Sequence, residues 1–352
     1  MRVLTVIGAR PQFVKAAPVS EAFAAIGIEE LVVDTGQHYD PTLSKLIRAD
    51  VGLRDPDFSL NVGSGSHASQ TAQMLTGIEP VVLAVKPDSV VVFGDTNSTL
   101  AGALVASKLN VPVAHIEAGL RSFNRRMPEE VNRVLVDHLS TWTFCTSQVA
   151  VAQLGSEGIS SGVHLVGDVM RDATERFAPF AARSVDLAQF GVQANTYAVS
   201  TVHRAENTDD PSRLEKLITL LGSWPETVVL PVHPRLREAL RTSGLSLPVN
   251  VRACEPCSYL QMLALVTHAT HVLTDSGGLQ KEAFWLQTPC ITLRDETEWV
   301  ETVQLGWNAL VGVDDALFAK AAAAIRPSQT SLDVYGDGHA SMKIAEILKE
   351  SI

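Results

Sequence analysis

The sequence predicts an α/β protein built as two halves of similar size, each a parallel sheet wrapped by helices, facing each other across a cleft. Three observations lead there. Short apolar runs alternate with helix-length periodic stretches along the chain, the pattern of successive strand–helix units. The 352 residues exceed one ordinary core and fit two of about 150 to 200 residues. The alternation lapses once, around residues 174–195, where Pro179 and scattered charges accompany no clear strand; this stretch reads as a linker.

In the first half, strands are expected at residues 3–7, 31–34, 90–93, 113–116, 143–145 and 164–166, with helices at 67–85, 99–109 and 128–140. Pro128 suits a first helical turn, where its missing N–H costs nothing. A second series begins at 197–201 and continues through 228–232, 249–252, 271–274, 290–293 and 309–313. Residues 341–350 form a short amphipathic helix after the turn YGDG. The pattern divides into Rossmann-like domains at 1–175 and 176–335, followed by a helical tail at 336–352.

Composition narrows the function classes. Hydrophobic content of 46% with 19% charged residues describes a folded globular chain. A net charge of −11 argues against nucleic acid or an anionic membrane as the main partner. Any anionic ligand must then be held by local basic groups and backbone amides. The chain has four cysteines, and the C-x-x-C of Cys254 and Cys257 lacks a second pair to complete a zinc site. It reads as structural or incidental, in keeping with a reducing cytosol. The stretch MRVLTVIG enters a strand with no signal-peptide pattern, and no apolar run is long enough to span a bilayer. The expectation is a cytoplasmic protein with no metal and no membrane partner.

Candidate site residues cluster at strand ends, where open parallel sheets bind ligands. GARPQFVK follows the first strand and opens a helix, whose amides with Arg10 and Lys15 suit a phosphate or diphosphate. It is not a G-x-G-x-x-G fingerprint, which disfavours nicotinamide. Asp95, in GDTNSTLAG, is either part of a helix cap or a functional acid. Glu117, in HIEAGLRS, follows a buried-type strand with Arg121 four residues on; it is a structural ion-pair partner or a catalytic carboxylate. Glu129 and Glu130 enter the first turn of a helix, where the macrodipole favours acids, and only one of them is expected to do chemistry. His203 and His233 sit at successive strand ends of the second half. In TDSGGLQKE, Ser276, Gly277 and Gly278 can offer amides to a diphosphate and Glu282 can accept from ribose hydroxyls, while Arg294 is a further phosphate candidate. Carboxylates in one half and a Gly-rich helix start in the other suggest acid–base chemistry on a phosphorylated ligand.

GARPQFVK, TGQHYD, GDTNSTLAG, HIEAGLRS, MPEEVNR, VHRAEN, PVHPR and LTDSGGLQKEA occur in the order seen in non-hydrolysing UDP-N-acetylglucosamine 2-epimerases, which the chain resembles over nearly its whole length. The resemblance implies a glycosyltransferase-B-type fold with UDP-sugar between the domains, the tail helix crossing back to the first domain, a homodimer and no cofactor. It implies interconversion of UDP-N-acetylglucosamine and UDP-N-acetylmannosamine by elimination of UDP to a 2-acetamidoglucal and re-addition, in the service of polysaccharide or glycan precursor synthesis. Asp95, Glu117 and Glu129 are then acid–base groups, His203 stabilises the leaving phosphate, and Arg10, Lys15, His233, Ser276, Gly277, Gly278, Glu282 and Arg294 hold UDP.

Two departures from the family pattern stand out. Where regulated bacterial members carry Gln-His-Arg, this chain has Gln37-His38-Tyr39, and the loop at residues 63–67 lacks an arginine, which argues against activation by a second substrate molecule. The stretch SFNRRMPEE, with GARPQF, looks similar to the branch acting on UDP-2,3-diacetamido-2,3-dideoxyglucuronate; Arg125 and Arg126 pair with a C6 carboxylate there or form a solvated basic loop. The competing classes are a hydrolysing epimerase, a glycosyltransferase of the same fold and a nucleotide-sugar sensor.

Overall fold

The computed structural model describes residues 1–37, 41–324, 326–327 and 332–351. The chain divides into two compact units, Met1–Ala173 with Asp333–Ile352, and Thr174–Leu332. The first unit carries strands β1 (Arg2–Ile7), β2 (Glu29–Asp34), β3 (Phe58–Ser59), β4 (Ser89–Phe93), β5 (Val113–Ala118), β6 (Trp142–Cys145) and β7 (Val163–Leu165). The second carries β8 (Tyr197–Thr201), β9 (Thr227–Pro231), β10 (Val251–Cys254), β11 (His271–Thr274), β12 (Cys290–Thr292) and β13 (Asn308–Leu310).

The sheets run β3-β2-β1-β4-β5-β6-β7 and β10-β9-β8-β11-β12-β13, with parallel pairing throughout the described strands. Both are buried on two faces, which is why their strands are runs of apolar residues rather than alternating ones. In the second unit the period of two is still visible in the packing. Ala198, Val228, Leu230, Leu273 and Ile291 enter one core cluster, whereas Tyr197, Val199, Val229, Val272 and Cys290 enter another. The strand order reverses between β1 and β4 and again between β8 and β11. In open α/β sheets the ligand crevice lies at this reversal, beyond the carboxyl ends. The four loops that leave β1, β4, β8 and β11 are the loops of GARPQ, GDTNS, HRAEN and TDSGG.

Two expected elements are corrected. The first half of the linker anticipated around residues 174–195 belongs to the helix Val169–Ser184, with Pro179 inside it. An interior proline removes one backbone hydrogen bond and disfavours a helix. Here Val169, Met170, Ala173, Phe177, Ala178 and Ala181 are all buried and recur at helical spacing, and that apolar stripe outweighs the proline. The strand expected at 249–252 begins two residues later, because Val249 is fully exposed while Val251 is the first buried residue.

Within the first unit the C-terminal helix Ala340–Ser351 packs on helix Arg10–Ala25. Asp172 fixes its start by accepting from the backbone N–H groups of Ala340 (3.2 Å) and Ser341 (2.7 Å). Gly167 and Gly336 stand back to back ahead of it; a Cβ on Gly167 would lie 2.7 Å from the Gly336 Cα. Only glycine permits that approach at positive φ (98° and 96°). His38 and Tyr39 lie outside the described residues.

Candidate active site

In the first unit three loops bring the acids to the carboxyl edge of the sheet. β4 ends in Gly94-Asp95, and the following helix Asn97–Lys108 is capped by Thr96, which accepts from the Thr99 amide. Asp95 is therefore not the cap. Its carboxylate pairs with Arg133, which also donates to Glu130 at 3.1 Å, and Asn132 donates to its backbone carbonyl at 2.9 Å. Glu117 occupies a bulge in β5, where the register against β6 shifts between Ile116 and Ala118. Its φ is +71°, a left-handed conformation that costs a non-glycine residue about 1–2 kcal/mol and is held only by its surroundings. The bulge turns its side chain to Lys15, and the two form an ion pair with side-chain exposures of 9% and 11%. Gly94 lies beside the pair, where a Cβ would be in ordinary contact with Glu117 Oε2 (3.7 Å) and Lys15 Nζ (3.8 Å); glycine is needed there for its positive φ of 63°.

Arg121, expected beside Glu117, is paired elsewhere. It binds Asp137 at 2.7 Å and Glu157 at 2.6 Å. Burial alone would raise Asp137, but His115 and Arg121 more than offset it and hold its carboxyl below the usual range. His115, fully buried, lies 2.7 Å from Asp137 Oδ1 and 2.7 Å from the Gly94 carbonyl oxygen. This network fastens the Gly94 turn to helix Pro128–Leu139.

The two neighbouring glutamates separate cleanly. Glu130 is 3% exposed and accepts from Ser122 N, Ser122 Oγ and Phe123 N at 2.8–3.0 Å, so it anchors the preceding loop. Glu129 is half-buried and has no hydrogen bond or ion pair among the described residues. The cradle expected in GARPQFVK is partly filled by the chain itself. Gln12 Oε1 takes the amides of Gly8 (2.8 Å) and Ala9 (3.0 Å), and its Nε2 donates to the Phe93 carbonyl at 2.8 Å. Those amides are spent on the fold, and Lys15 on Glu117; Arg10 stands at the helix start.

In the second unit the scaffold is Asp275, fully buried at the end of β11. It accepts from the amides of His203 (3.0 Å) and Arg204 (2.9 Å) and from Asn207 Nδ2 (3.0 Å), joining the loop after β8 to the loop after β11. His203 Nδ1 lies 3.2 Å from the same carboxylate. Burial depresses the His203 imidazole; Asp275 opposes this, while Arg204, Arg294 and Arg235 add to it. His233 stacks 5.6 Å away and caps helix Pro234–Ser243 through Nδ1.

Helix Gly277–Trp285 starts at Ser276, whose Oγ accepts from the Leu279 amide. The Gly277 and Gly278 amides have no hydrogen-bond acceptor among the described residues, and a Cβ on Gly278 would meet nothing within 4 Å. Beside Gly277 lie Trp299 Nε1, Glu298 Oε2 and Arg204 Nη2, at 3.4, 3.8 and 3.9 Å from the position of a Cβ. Two open amides at a helix start beside a guanidinium form an anion site. Arg294 is 2% exposed and held by Glu298 at 3.1 and 3.2 Å, so it reaches the site as part of an ion pair. Glu282 is 6% exposed in the second turn of the helix, beside the buried Tyr259 hydroxyl.

The sequence reading missed Gln12, His115, Arg133, Asp137 and Asp275 as site-building residues. One signal was available: Glu130, Arg133 and Asp137 recur at helical spacing, and all three are buried on one helix face. Among the described residues, no group of three His, Cys, Asp or Glu side chains is placed to hold a metal ion, and no helix is long and apolar enough to cross a membrane.

Comparison with known proteins places this geometry in context. The model of the family described as UDP-N-acetylglucosamine 2-epimerase matches residues 22–349. The UDP-2,3-diacetamido-2,3-dideoxy-D-glucuronate 2-epimerase of Pseudomonas aeruginosa is 46% identical over 357 residues, covering 99% of each chain. A UDP-N-acetylglucosamine 2-epimerase homolog of Methanococcus maripaludis is 44% identical over 356 residues, again covering 99% of each. Among solved structures, the UDP-GlcNAc 2-epimerase of Methanocaldococcus jannaschii in complex with UDP-GlcNAc and UDP matches with a TM-score of 0.92 at 39% identity, covering 99% of this chain and 100% of that one.

Proposed function

Because the chain belongs to the UDP-N-acetylglucosamine 2-epimerase family, we propose that it inverts C2 of a UDP-N-acetylhexosamine without hydrolysis, interconverting UDP-N-acetylglucosamine and UDP-N-acetylmannosamine. Its two Rossmann-like units are those of the glycosyltransferase-B-type fold. The observation that carries the proposal is the pairing of strand-end acids with cations in the first unit, Asp95 with Arg133 and Glu117 with Lys15, while Glu129, in the first turn of helix Pro128–Leu139, has no hydrogen bond or ion pair among the described residues.

The C2 proton of the sugar is not adjacent to a carbonyl, so its removal must be coupled to loss of a leaving group. A carboxylate of the first unit takes the proton. The C2–H electron pair becomes the C1–C2 double bond of a 2-acetamidoglucal, and the C1–O bond breaks to release UDP. Return of the UDP oxygen to C1, with a proton delivered to the opposite face of C2, completes the inversion. Two faces need more than one acid–base group, which Asp95, Glu117 and Glu129 supply. The departing diphosphate needs fixed positive potential. In the second unit the open amides of Gly277 and Gly278 and the guanidinium of Arg204 supply that, His203 serves as a neutral hydrogen-bonding imidazole, Ser276 and Arg294 shape the cradle and Glu282 takes the ribose; Arg10 is the cation the first unit offers. A glycosyltransferase has no use for several acids at C2, and a sensor has no use for the strained Glu117.

A second reading, 2-epimerisation of UDP-2,3-diacetamido-2,3-dideoxyglucuronate, has its own support. Arg125 and Arg126 are exposed, and their side chains make no hydrogen bond or ion pair among the described residues; they are available to a C6 carboxylate. The relative at 46% identity bears that name. Proton NMR in D₂O with each nucleotide sugar separates the readings. Deuterium at C2 of intact UDP-N-acetylmannosamine supports the first, and exchange only in the diacetamido acid supports the second. Free sugar would mean hydrolysis, and no exchange with either would reject both.

A further inference from the structure

Trp299 is buried at the helix start of the second unit, with its Nε1 3.4 Å from where a Cβ on Gly277 would stand. An indole nitrogen carries one N–H, which donates and never accepts. Several polar groups hold the residue in that place. Its backbone N–H donates to Thr297 Oγ1 at 3.1 Å, and its carbonyl accepts from Thr302 Oγ1 at 2.7 Å. Both hydroxyls lead back to one helix. Thr297 Oγ1 donates to Gln280 Oε1 at 2.7 Å, and Asn308 Nδ2 joins Gln280 Oε1 (3.0 Å) to Thr302 Oγ1 (3.2 Å). Gln280 is fully buried in helix Gly277–Trp285. The loop carrying Trp299 is therefore tied to the helix whose first turn carries the Gly277 and Gly278 amides.

The face of the same indole carries a cation. Lys281, buried one turn after Gly277, places Nζ 3.8 Å from the centroid of the Trp299 ring and 5.7 Å from that of Trp285. The ring's quadrupole holds an ammonium there, and the ammonium draws electron density from the ring, which makes the edge N–H a better donor. Of the other groups beside Gly277, Glu298 is paired with Arg294, and Arg204 adds a guanidinium. An apolar filler would need neither the tether nor the buried ammonium.

We propose that the Trp299 indole N–H is a side-chain donor to the diphosphate of the nucleotide, beside the Gly277 and Gly278 amides, and that Lys281 is a positioning residue that fixes and polarises the indole. Naming the anion as a nucleoside diphosphate rests on the functional reading above; the anion site itself does not. Phosphate oxygens stand at the corners of a tetrahedron, so one group can accept from a helix-start amide and from the indole edge next to it. A donor tied down before the ligand arrives loses little freedom on binding. A hydrogen bond to a charged oxygen is also stronger than one between neutral groups. Because an indole keeps its proton, this donor is present whatever the state of His203.

The test is NMR of the isotope-labelled tryptophan indoles in the folded full chain, titrated separately with UDP, uridine and inorganic pyrophosphate, beside calorimetric titration of UDP into variants. The chain has five tryptophans, and the indole resonance absent from Trp299→Phe identifies Trp299. UDP and pyrophosphate should displace that indole proton downfield, and uridine should not. Trp299→Phe keeps an aromatic ring without the N–H, and should weaken UDP by about tenfold or more. Lys281→Met keeps the apolar stem without the charge. It should move the Trp299 indole proton upfield in the ligand-free protein and weaken UDP by about threefold. An indole proton that UDP leaves in place at saturation, or that uridine displaces equally, would overturn the donor. So would Trp299→Phe binding UDP within about twofold of the native protein. An indole proton indifferent to Lys281→Met would overturn the role of Lys281. Native protein that binds no UDP contradicts the functional reading, and pyrophosphate then decides the anion site: a displaced resonance keeps it, an unmoved one overturns it. Should Trp299→Phe fail to fold, the titrations of the native protein still decide.

Discussion

The two units share one strand order over six strands, with β7 added at the edge of the first, and equivalent strand-end loops, yet they fill those loops with opposite chemistry. In the first, the acids at the ends of β4 and β5 are side chains paired with Arg133 and Lys15, and the helix-start amides of Gly8 and Ala9 are consumed by Gln12. In the second, the acid at the end of β11, Asp275, is fully buried and spent on the backbone of the neighbouring loop, while the Gly277 and Gly278 amides meet no acceptor among the described residues. Equivalent topology thus yields ion-paired strand-end acids in one unit and open helix-start amides in the other, the basis for assigning proton transfer to the first and anion binding to the second. Whether a loop's amides are satisfied by its own side chains decides which.

The largest effect should come from the acids of the first unit. Glu117→Gln removes the acid but keeps its shape, and should lower kcat by about 10²–10⁴-fold, measured by C2 deuterium exchange. A loss of less than threefold (roughly, against that range) would show that Glu117 is strained for another reason. The scaffold under these acids comes next. Asp137→Ala leaves Arg121 and His115 buried without their shared partner, and should cost about 3–5 kcal/mol in urea unfolding. The folded Asp137 carboxyl lies below its reference value of 3.8. Its stabilisation is therefore fully present above that pH and is lost as pH falls through the lower folded value. A native–variant difference that stays constant down to strongly acidic pH would contradict the assignment.

The glycines sharpen the comparison at smaller scale. Gly94→Ala forces a side chain into φ +63° and should destabilise by about 1–2 kcal/mol, read as a lower urea midpoint. Gly278→Ala has open space and ordinary φ, so stability should change by no more than about 0.5 kcal/mol, while UDP affinity falls because the methyl group stands over the amides. Equal stability losses at both glycines would dissolve the distinction. In the tail, Asp172→Ala removes the acceptor for Ala340 and Ser341 and should cost about 1 kcal/mol, measured by thermal unfolding, with UDP affinity intact.

Much of this was legible in the sequence, for identifiable reasons. The strands at residues 197–201 and 271–274 and the helix at 67–85 carry uninterrupted periodicity and coincide with β8, β11 and His67–Val85. The helix through Pro179 was hidden because one proline outweighed a buried stripe spread over three turns. At the site, the acids were visible as polar residues closing apolar runs, but their partners were not. Lys15 and Glu117 are 102 residues apart, and only the sheet brings them together. Gln12 could not be read as the occupant of its own loop, since a carboxamide capping two amides leaves no mark in composition. Asp275 was overlooked because the glycines beside it drew the reading, although a buried acid at a strand end satisfies a loop as readily as it binds a ligand.

The division of labour between the units is the central claim, and calorimetric titration of UDP tests it most directly. Asp95→Asn and Glu117→Gln should bind UDP within about threefold of the native protein, whereas His203→Ala and Arg204→Ala should weaken binding by roughly tenfold or more, as expected for lost charge-assisted contacts. The reverse pattern, with UDP affinity carried by the acids of the first unit and indifferent to His203 and Arg204, would contradict the account.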